Sequence, residues 1–214
     1  MSPLPAQLVN RWRDGRGAGD PAEGTLYWHV LLGGSEPLRE VARTAQERLS
    51  EFSGLHMTPL RWLHLTLLMA GPAGQAPGQA MDEMLAAARE SIAGTAPVTI
   101  ELSRILYHPE AIVLAAQPAE ALRPIREAAR HATLSTIGHE GIADRPSPTW
   151  APHVTLCYST SAQPAEPVIA ALGKRVPGCQ VTIDAFSLVV QYGAEWLWNW
   201  SPAGMVSLAG PSTA

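Results

Sequence analysis

The chain has 214 residues, 46% of them hydrophobic, enough for a sizeable core in one domain of ordinary size or in two small lobes about one cleft. Its formal net charge of −4 excludes a broad nucleic-acid-binding surface and leaves room only for a local site that takes a small nucleotide or an RNA end. No apolar run approaches the ~20 residues of a membrane span, residues 1–16 carry no signal-type apolar stretch, and the two Cys, Cys157 and Cys179, read as reduced thiols, so a cytoplasmic monomer is expected.

In chain order, residues 1–24 read as a flexible N-terminal segment, because Arg11-Trp12-Arg13-Asp14-Gly15-Arg16-Gly17 and the Ala18-Gly19-Asp20-Pro21 that follows mix charge, Gly and Pro. Thr25 to Leu32 is rich in aromatic and β-branched residues and predicts a strand. Gly33-Gly34-Ser35 ends it, and Ser35 is placed to cap a helix over Glu36 to Phe52, where Leu38, Val41, Ala45 and Leu49 recur at helical spacing. A strand over Leu60 to Met69 follows, then a turn-rich Gly71 to Gly78 and a helix over Met81 to Ile92. Val98 to Leu106 and Ala111 to Ala116 predict a hairpin about Tyr107-His108-Pro109-Glu110, followed by a helix over Pro118 to Ile137. A Pro-rich loop, Asp144 to Pro152, leads into a strand through Tyr158, and Ala165 to Leu172 predicts a short helix. Val181 to Gln191 and Glu195 to Trp200 close a second hairpin about Tyr192-Gly193-Ala194, with a flexible tail over 203–214. Strands and helices mixed with hairpins indicate α+β rather than an all-parallel sheet.

Two of these strands carry the same tetrapeptide pattern. His64-Leu65-Thr66-Leu67 and His153-Val154-Thr155-Leu156 lie 89 residues apart in a chain with seven His, an internal repeat. In a strand, alternate side chains share a face, so each motif presents an imidazole and a hydroxyl together and turns its aliphatics away. A single His in an apolar run also fits a core imidazole; the second matched copy argues for a site. Two imidazoles and two hydroxyls suit phosphoryl transfer, with one imidazole taking a proton, the other giving one, and the hydroxyls holding phosphate oxygens. No H-E-x-x-H, no C-x-x-C and no carboxylate beside either motif is present, so neither a metal nor a cofactor is expected.

The paired motifs resemble those of the 2H phosphoesterase superfamily, which includes bacterial 2′-5′ RNA ligase-like proteins and plant-type cyclic phosphodiesterases, over roughly Thr25 to Pro202. The resemblance implies one domain over residues 25–202, with two pseudo-symmetric lobes whose antiparallel sheets flank a central cleft, helices outside, and the motif strands facing each other across the cleft. It implies His64 as proton donor, His153 as the acceptor that activates water, and Thr66 and Thr155 as phosphate ligands. Tyr158 stands where plant-type members carry a Tyr, whereas many bacterial members carry an Arg near there. That favours a small cyclic nucleotide, with the Tyr158 ring stacked on its base. An aromatic residue of the first strand lines the pocket in similar proteins, which implies Trp28 as a substrate contact, since Trp28 and His29 face opposite ways. Arg61, Arg104 and Lys174 are candidate phosphate contacts, and Trp196, Trp198 and Trp200 alternate onto one strand face as packing or as a cleft wall. The implied activity is metal-independent hydrolysis of a cyclic phosphate, a 2′,3′-cyclic nucleotide or an RNA end. The alternatives are RNA 2′-5′ ligation, a non-catalytic nucleotide-binding module, and a tailoring enzyme on the same scaffold.

Overall fold

A computed structural model describes residues 4–18, 23–139 and 150–209. Most of the expected Asp144 to Pro152 loop, up to position 149, lies outside the described residues. The elements run β1 (Gln7–Leu8), β2 (Thr25–Leu31), α1 (Glu36–Leu49), β3 (Leu55–Met57), β4 (His64–Pro72), α2 (Gly78–Ser91), β5 (Val98–His108), β6 (Ala111–Gln117), α3 (Arg123–Ile137), β7 (His153–Ser159), β8 (Gln163–Pro164), α4 (Ala165–Leu172), β9 (Arg175–Ile183), β10 (Ala185–Gln191) and β11 (Trp200–Ser207).

The main sheet has the order β11-β10-β2-β4-β7-β6-β5-β9, antiparallel throughout, with β3 added on β7. It falls into two four-stranded halves, β11-β10-β2-β4 and β7-β6-β5-β9, and the motif strands β4 and β7 are the seam between them. The halves meet at one register position, Leu65 opposite Val154. The motif strands are therefore hydrogen-bonded neighbours where the halves join.

The helices cover one face of this sheet. α2 and α3 pack on each other and reach β11 and β4, while α1 reaches β9 and β7 with α4 beside it. Beneath them lie Leu26, Trp28 and Val30 of β2, Leu65 and Leu67 of β4, and Val154 and Leu156 of β7, all buried. Alternation sends the other set, including His64, Thr66, His153 and Thr155, to the opposite face. Burying these aliphatics under the helices, at roughly 1.5–3 kcal/mol for a full side chain, fixes which face the motifs present.

Several boundaries differ from the sequence reading for identifiable reasons. α3 begins at Arg123 because Pro124, which lacks an N–H, is accommodated in a first helical turn; Ala119–Leu122 forms a separate 3₁₀ turn. Ser35 occupies the N-cap of α1 with extended backbone, but its side chain makes no capping bond. The expected strand over Val181 to Gln191 is divided at Asp184, where the chain crosses from β9 at the edge of one half to β10 in the other. β11 runs to Ser207, so the tail expected from residue 203 is sheet as far as that residue; a register shift between Leu188 and Val189 leaves Ala203 unpaired. The described part of the N-terminal segment expected to be flexible is tied to the fold. β1 pairs with β8, the Val9 N–H donates to the Pro109 carbonyl, and the Arg11 N–H donates to that of Ser159. Cys157 and Cys179 are buried and not bonded to each other. No helix among the described residues is long and apolar enough to cross a membrane.

Candidate active site

His64 opens β4 and His153 opens β7. Each ring is pinned the same way. His64 Nδ1–H donates to the Trp62 carbonyl at 2.7 Å, and His153 Nδ1–H donates to the Ala151 carbonyl at 2.8 Å. A donor role at Nδ1 sets the neutral tautomer, so Nε2 of each ring is the atom left to accept or deliver a proton. Both carbonyls belong to the residue two positions earlier, so each motif carries its own orienting group.

The two rings sit in matching surroundings up to a point. A second imidazole accompanies each, His29 with its centre 4.4 Å from that of His64 and His108 6.3 Å from His153. Burial pushes the His64 pKa down to about 4; the Trp62 carbonyl opposes this, nearby His153 adds to it, and Glu195 opposes it. Burial likewise lowers His153, the Ala151 carbonyl opposes, and His108 and then Arg11 lower it further. The difference lies in the outer charges: a carboxylate favours the protonated form of His64, and a guanidinium disfavours that of His153.

Thr66 and Thr155 follow their histidines on the same face, Thr66 opposite His29 of β2 and Thr155 opposite Val113 of β6. Regular alternation would then turn Tyr158 toward the helices. A bulge prevents this. Ile112 pairs with Cys157 and Val113 with Thr155, so Leu156 is the extra residue on β7. Cys157 enters the core, while Tyr158 joins the motif face and stacks on Trp198 at 5.9 Å.

Trp198 stands at the centre of an aromatic wall. Its ring centre is 6.2 Å from His64 and 6.1 Å from Trp200, which itself lies 4.8 Å from His64 and 4.7 Å from Trp62. The strand expected over Glu195 to Trp200 is instead a 3₁₀ turn, Glu195–Leu197, followed by Trp198 at φ 51°, ψ 35°, so Trp196, Trp198 and Trp200 do not alternate on one face. A left-handed backbone at a bulky residue costs on the order of 1–3 kcal/mol, and it swings the indole against His64.

Trp28 is a correction. It is 0% exposed on the helix side, packed on Phe186, and its Nε1–H donates to Thr133 Oγ1 of α3 at 3.1 Å. The β2 residues on the site face are Tyr27 and His29, stacked at 5.1 Å. The sequence held the signal: Leu26, Trp28, Val30 and Leu32 are uniformly apolar at period two, whereas Tyr27 and His29 are not. Arg61 is exposed with its guanidinium 5.5 Å over Trp62, and Arg104 and Lys174 are exposed on β5 and ahead of β9. Among the described residues Arg11 does reach the site, 5.7 Å over Tyr158 and bonded to Glu110 and Glu195. Nothing local in the sequence marked Arg11, because its partners lie 99 and 184 residues away. Among the described residues no three His, Cys, Asp or Glu side chains converge as a metal-ligand set.

The model of the 2′-5′ RNA ligase superfamily matches residues 36–195. No curated protein matches the chain. Among solved structures, TT0787 of Thermus thermophilus is 23% identical with a TM-score of 0.67, covering 87% of this chain and 99% of its own. E. coli LigT in apo form is 19% identical with a TM-score of 0.63, and LigT complexed with 3′-AMP is 18% identical with a TM-score of 0.60; each covers 88% of this chain and 99% of its own. At these identities the likeness is one of fold.

Proposed function

Because the chain belongs to the 2′-5′ RNA ligase superfamily, the 2H phosphoesterases, we propose that it hydrolyses a cyclic phosphate, a 2′,3′-cyclic nucleotide or RNA end, by metal-independent acid–base catalysis. The observation that carries this reading is the matched pinning of His64 and His153 by Trp62 and Ala151, which leaves two Nε2 atoms available on one face of one sheet.

In the proposed step, His153 Nε2 takes a proton from water as the water oxygen bonds to phosphorus. The bond from phosphorus to one ribose oxygen breaks, and His64 Nε2 gives that oxygen its proton. Atoms and charge balance, and the product is a nucleoside monophosphate. Thr66 and Thr155 donate to the non-bridging oxygens as negative charge builds there. The charges around the rings support this assignment of roles: Glu195 favours a protonated His64, and Arg11 favours a neutral His153. In the free protein burial keeps both imidazoles neutral near pH 7, so the anionic phosphate must raise the pKa of His64 for it to serve as the acid. LigT, of the same fold, has been solved with 3′-AMP and with phosphate, in keeping with a small phosphate-bearing ligand here.

The test is incubation with the four 2′,3′-cyclic nucleotides in the presence of EDTA and identification of the product isomer. Turnover to a single monophosphate supports the reading. Saturable binding without turnover would make the protein a nucleotide-binding module instead.

A further inference from the structure

The superfamily match spans residues 36–195, so Trp12 and Trp196 lie outside it, yet both belong to one hollow beside the site. This concavity, of about 270 Å³, is lined by Asn10, Trp12, His56, Thr160 and Trp196. The Trp12 ring meets His56 edge-on at 5.3 Å and Trp196 edge-on at 5.1 Å, and it leans on Tyr158 at 5.6 Å. Rings set edge to face around a hollow leave flat faces for a further ring to stack on.

The wall is held firmly. Trp12 Nε1–H donates to Glu195 Oε2 at 3.1 Å, and the Trp12 backbone N–H donates to Asn10 Oδ1 at 2.9 Å. Arg11 Nε and Nη2 donate to the two oxygens of the same Glu195 at 3.2 and 2.9 Å. Trp198 links the hollow to His64: its ring centre lies 6.2 Å from that of His64 and 6.3 Å from that of His56, and the Trp198 and His56 planes are parallel within 3°.

Size and lining choose the occupant. The volume falls just under the ~300 Å³ at which pockets for whole drug-sized ligands begin, so it suits one ring system rather than an entire nucleotide. Asn10 has spent its oxygen on Trp12, which turns its amide N–H groups to the task of meeting a ring nitrogen or carbonyl, and Thr160 adds a hydroxyl. His56 Nε2 is buried with no hydrogen-bond partner among the described residues.

We propose that this hollow is a ring-binding subsite for the planar heteroaromatic base of the substrate, and that the N-terminal segment around Asn10 to Trp12 supplies its wall. The inference rests on the cyclic-nucleotide reading above, in which the phosphate lies at His64 and His153.

The test compares dissociation constants for 2′-AMP and for inorganic phosphate, by calorimetry, in the wild-type chain, Trp12→Ala and Trp196→Ala. Base stacking on an aromatic face corresponds to roughly 5- to 150-fold in affinity, so the wild-type chain should prefer 2′-AMP over phosphate by about that margin. Each variant should lose at least about fivefold of the preference. A wild-type chain without the preference, or a folded variant that keeps it whole, overturns the subsite. If both variants fail to fold, photolabelling of the wild-type chain with 8-azidoadenosine 3′-monophosphate decides: label on the peptides holding Trp12, His56 or Trp196 supports the subsite, and label elsewhere overturns it. Turnover of 2′,3′-cyclic AMP is measured in parallel. Preference lost in the variants with no turnover in the wild type refutes the hydrolase reading and leaves the subsite; turnover with preference unchanged refutes the subsite alone.

Discussion

His29 and His64 lie with ring centres 4.4 Å apart and planes tilted by 47°, and His29 is only 2% exposed. Burial holds the His29 pKa well below its ordinary value, His64 lowers it further, and the Trp28 backbone opposes. Two imidazoles so close cannot both carry charge without cost, so the native state holds them neutral.

Stability should therefore fall on the acid side. The folded pKa values of His29 and His64 lie below the unfolded value near 6.5, so the unfolded chain binds more protons in between. Their contribution is complete above about pH 6.5 and is lost as pH falls toward the His64 value of about 4. The unfolding free energy from urea titrations at pH 7 and pH 5 should differ by roughly 2–4 kcal/mol, and His29→Phe should shrink that difference. An equal slope in the variant would assign the acid sensitivity elsewhere.

The same shifts set the pH dependence of catalysis. The profile of kcat/KM reports the free protein, in which both motif imidazoles titrate below 6.5. Activity needs one ring protonated and one neutral, so the profile should be a bell with its maximum on the acid side of pH 6.5, its limbs belonging to the coupled pair. Bound phosphate raises both values, so the kcat profile should be displaced to higher pH. Coincident profiles, or an alkaline optimum of kcat/KM, would contradict the proposed roles.

His64→Ala and His153→Ala should each lower kcat by about 10²–10⁴-fold in proteins that remain folded, and the double variant should lose little more, because the pair acts as a unit. Thr66→Val and Thr155→Val should cost about 10²–10³-fold each if their hydroxyls meet the developing charge. Steady-state kinetics on 2′,3′-cyclic nucleotides measures all five variants. Near-wild-type turnover in either His variant would end the acid–base assignment.

Trp28→Phe should behave differently. It removes the indole donor to Thr133 and some core volume, so unfolding free energy should drop by about 1–3 kcal/mol. KM should stay within about twofold of wild type, since the ring lies on the helix side of the sheet. A large KM change with intact stability would return Trp28 to the substrate.

The sequence made the motif faces legible because period-two alternation is local: Leu65 and Leu67 go under the helices, and His64 and Thr66 do not. It placed α4 at Ala165–Leu172 and the β5–β6 hairpin for the same kind of reason. It could not place Tyr158, because one extra residue in β7 reverses the facing of everything after it, and a bulge leaves no mark in the pattern of β-prone residues. Nor could it join Arg11 and Trp12 to Glu195, a contact made only once distant elements have assembled. The left-handed turn at Trp198 was invisible for a related reason: intrinsic preference argues against it, and the surrounding packing overrules that preference.

The seam at Leu65 and Val154 carries a consequence for the direction of the reaction. On either side of it stands an equivalent imidazole held by an equivalent carbonyl, so under the proposed activity the bare sheet would offer a cyclic ester two ways to lie, related by a pseudo-twofold rotation. Polarity enters from outside the seam, through Glu195 on the connection ahead of β11 and Arg11 on the N-terminal segment. If the proposed hydrolysis holds, the choice of departing ribose oxygen is written in the periphery, and exchanging those two charges should change the ratio of product isomers while both histidines stay where they are.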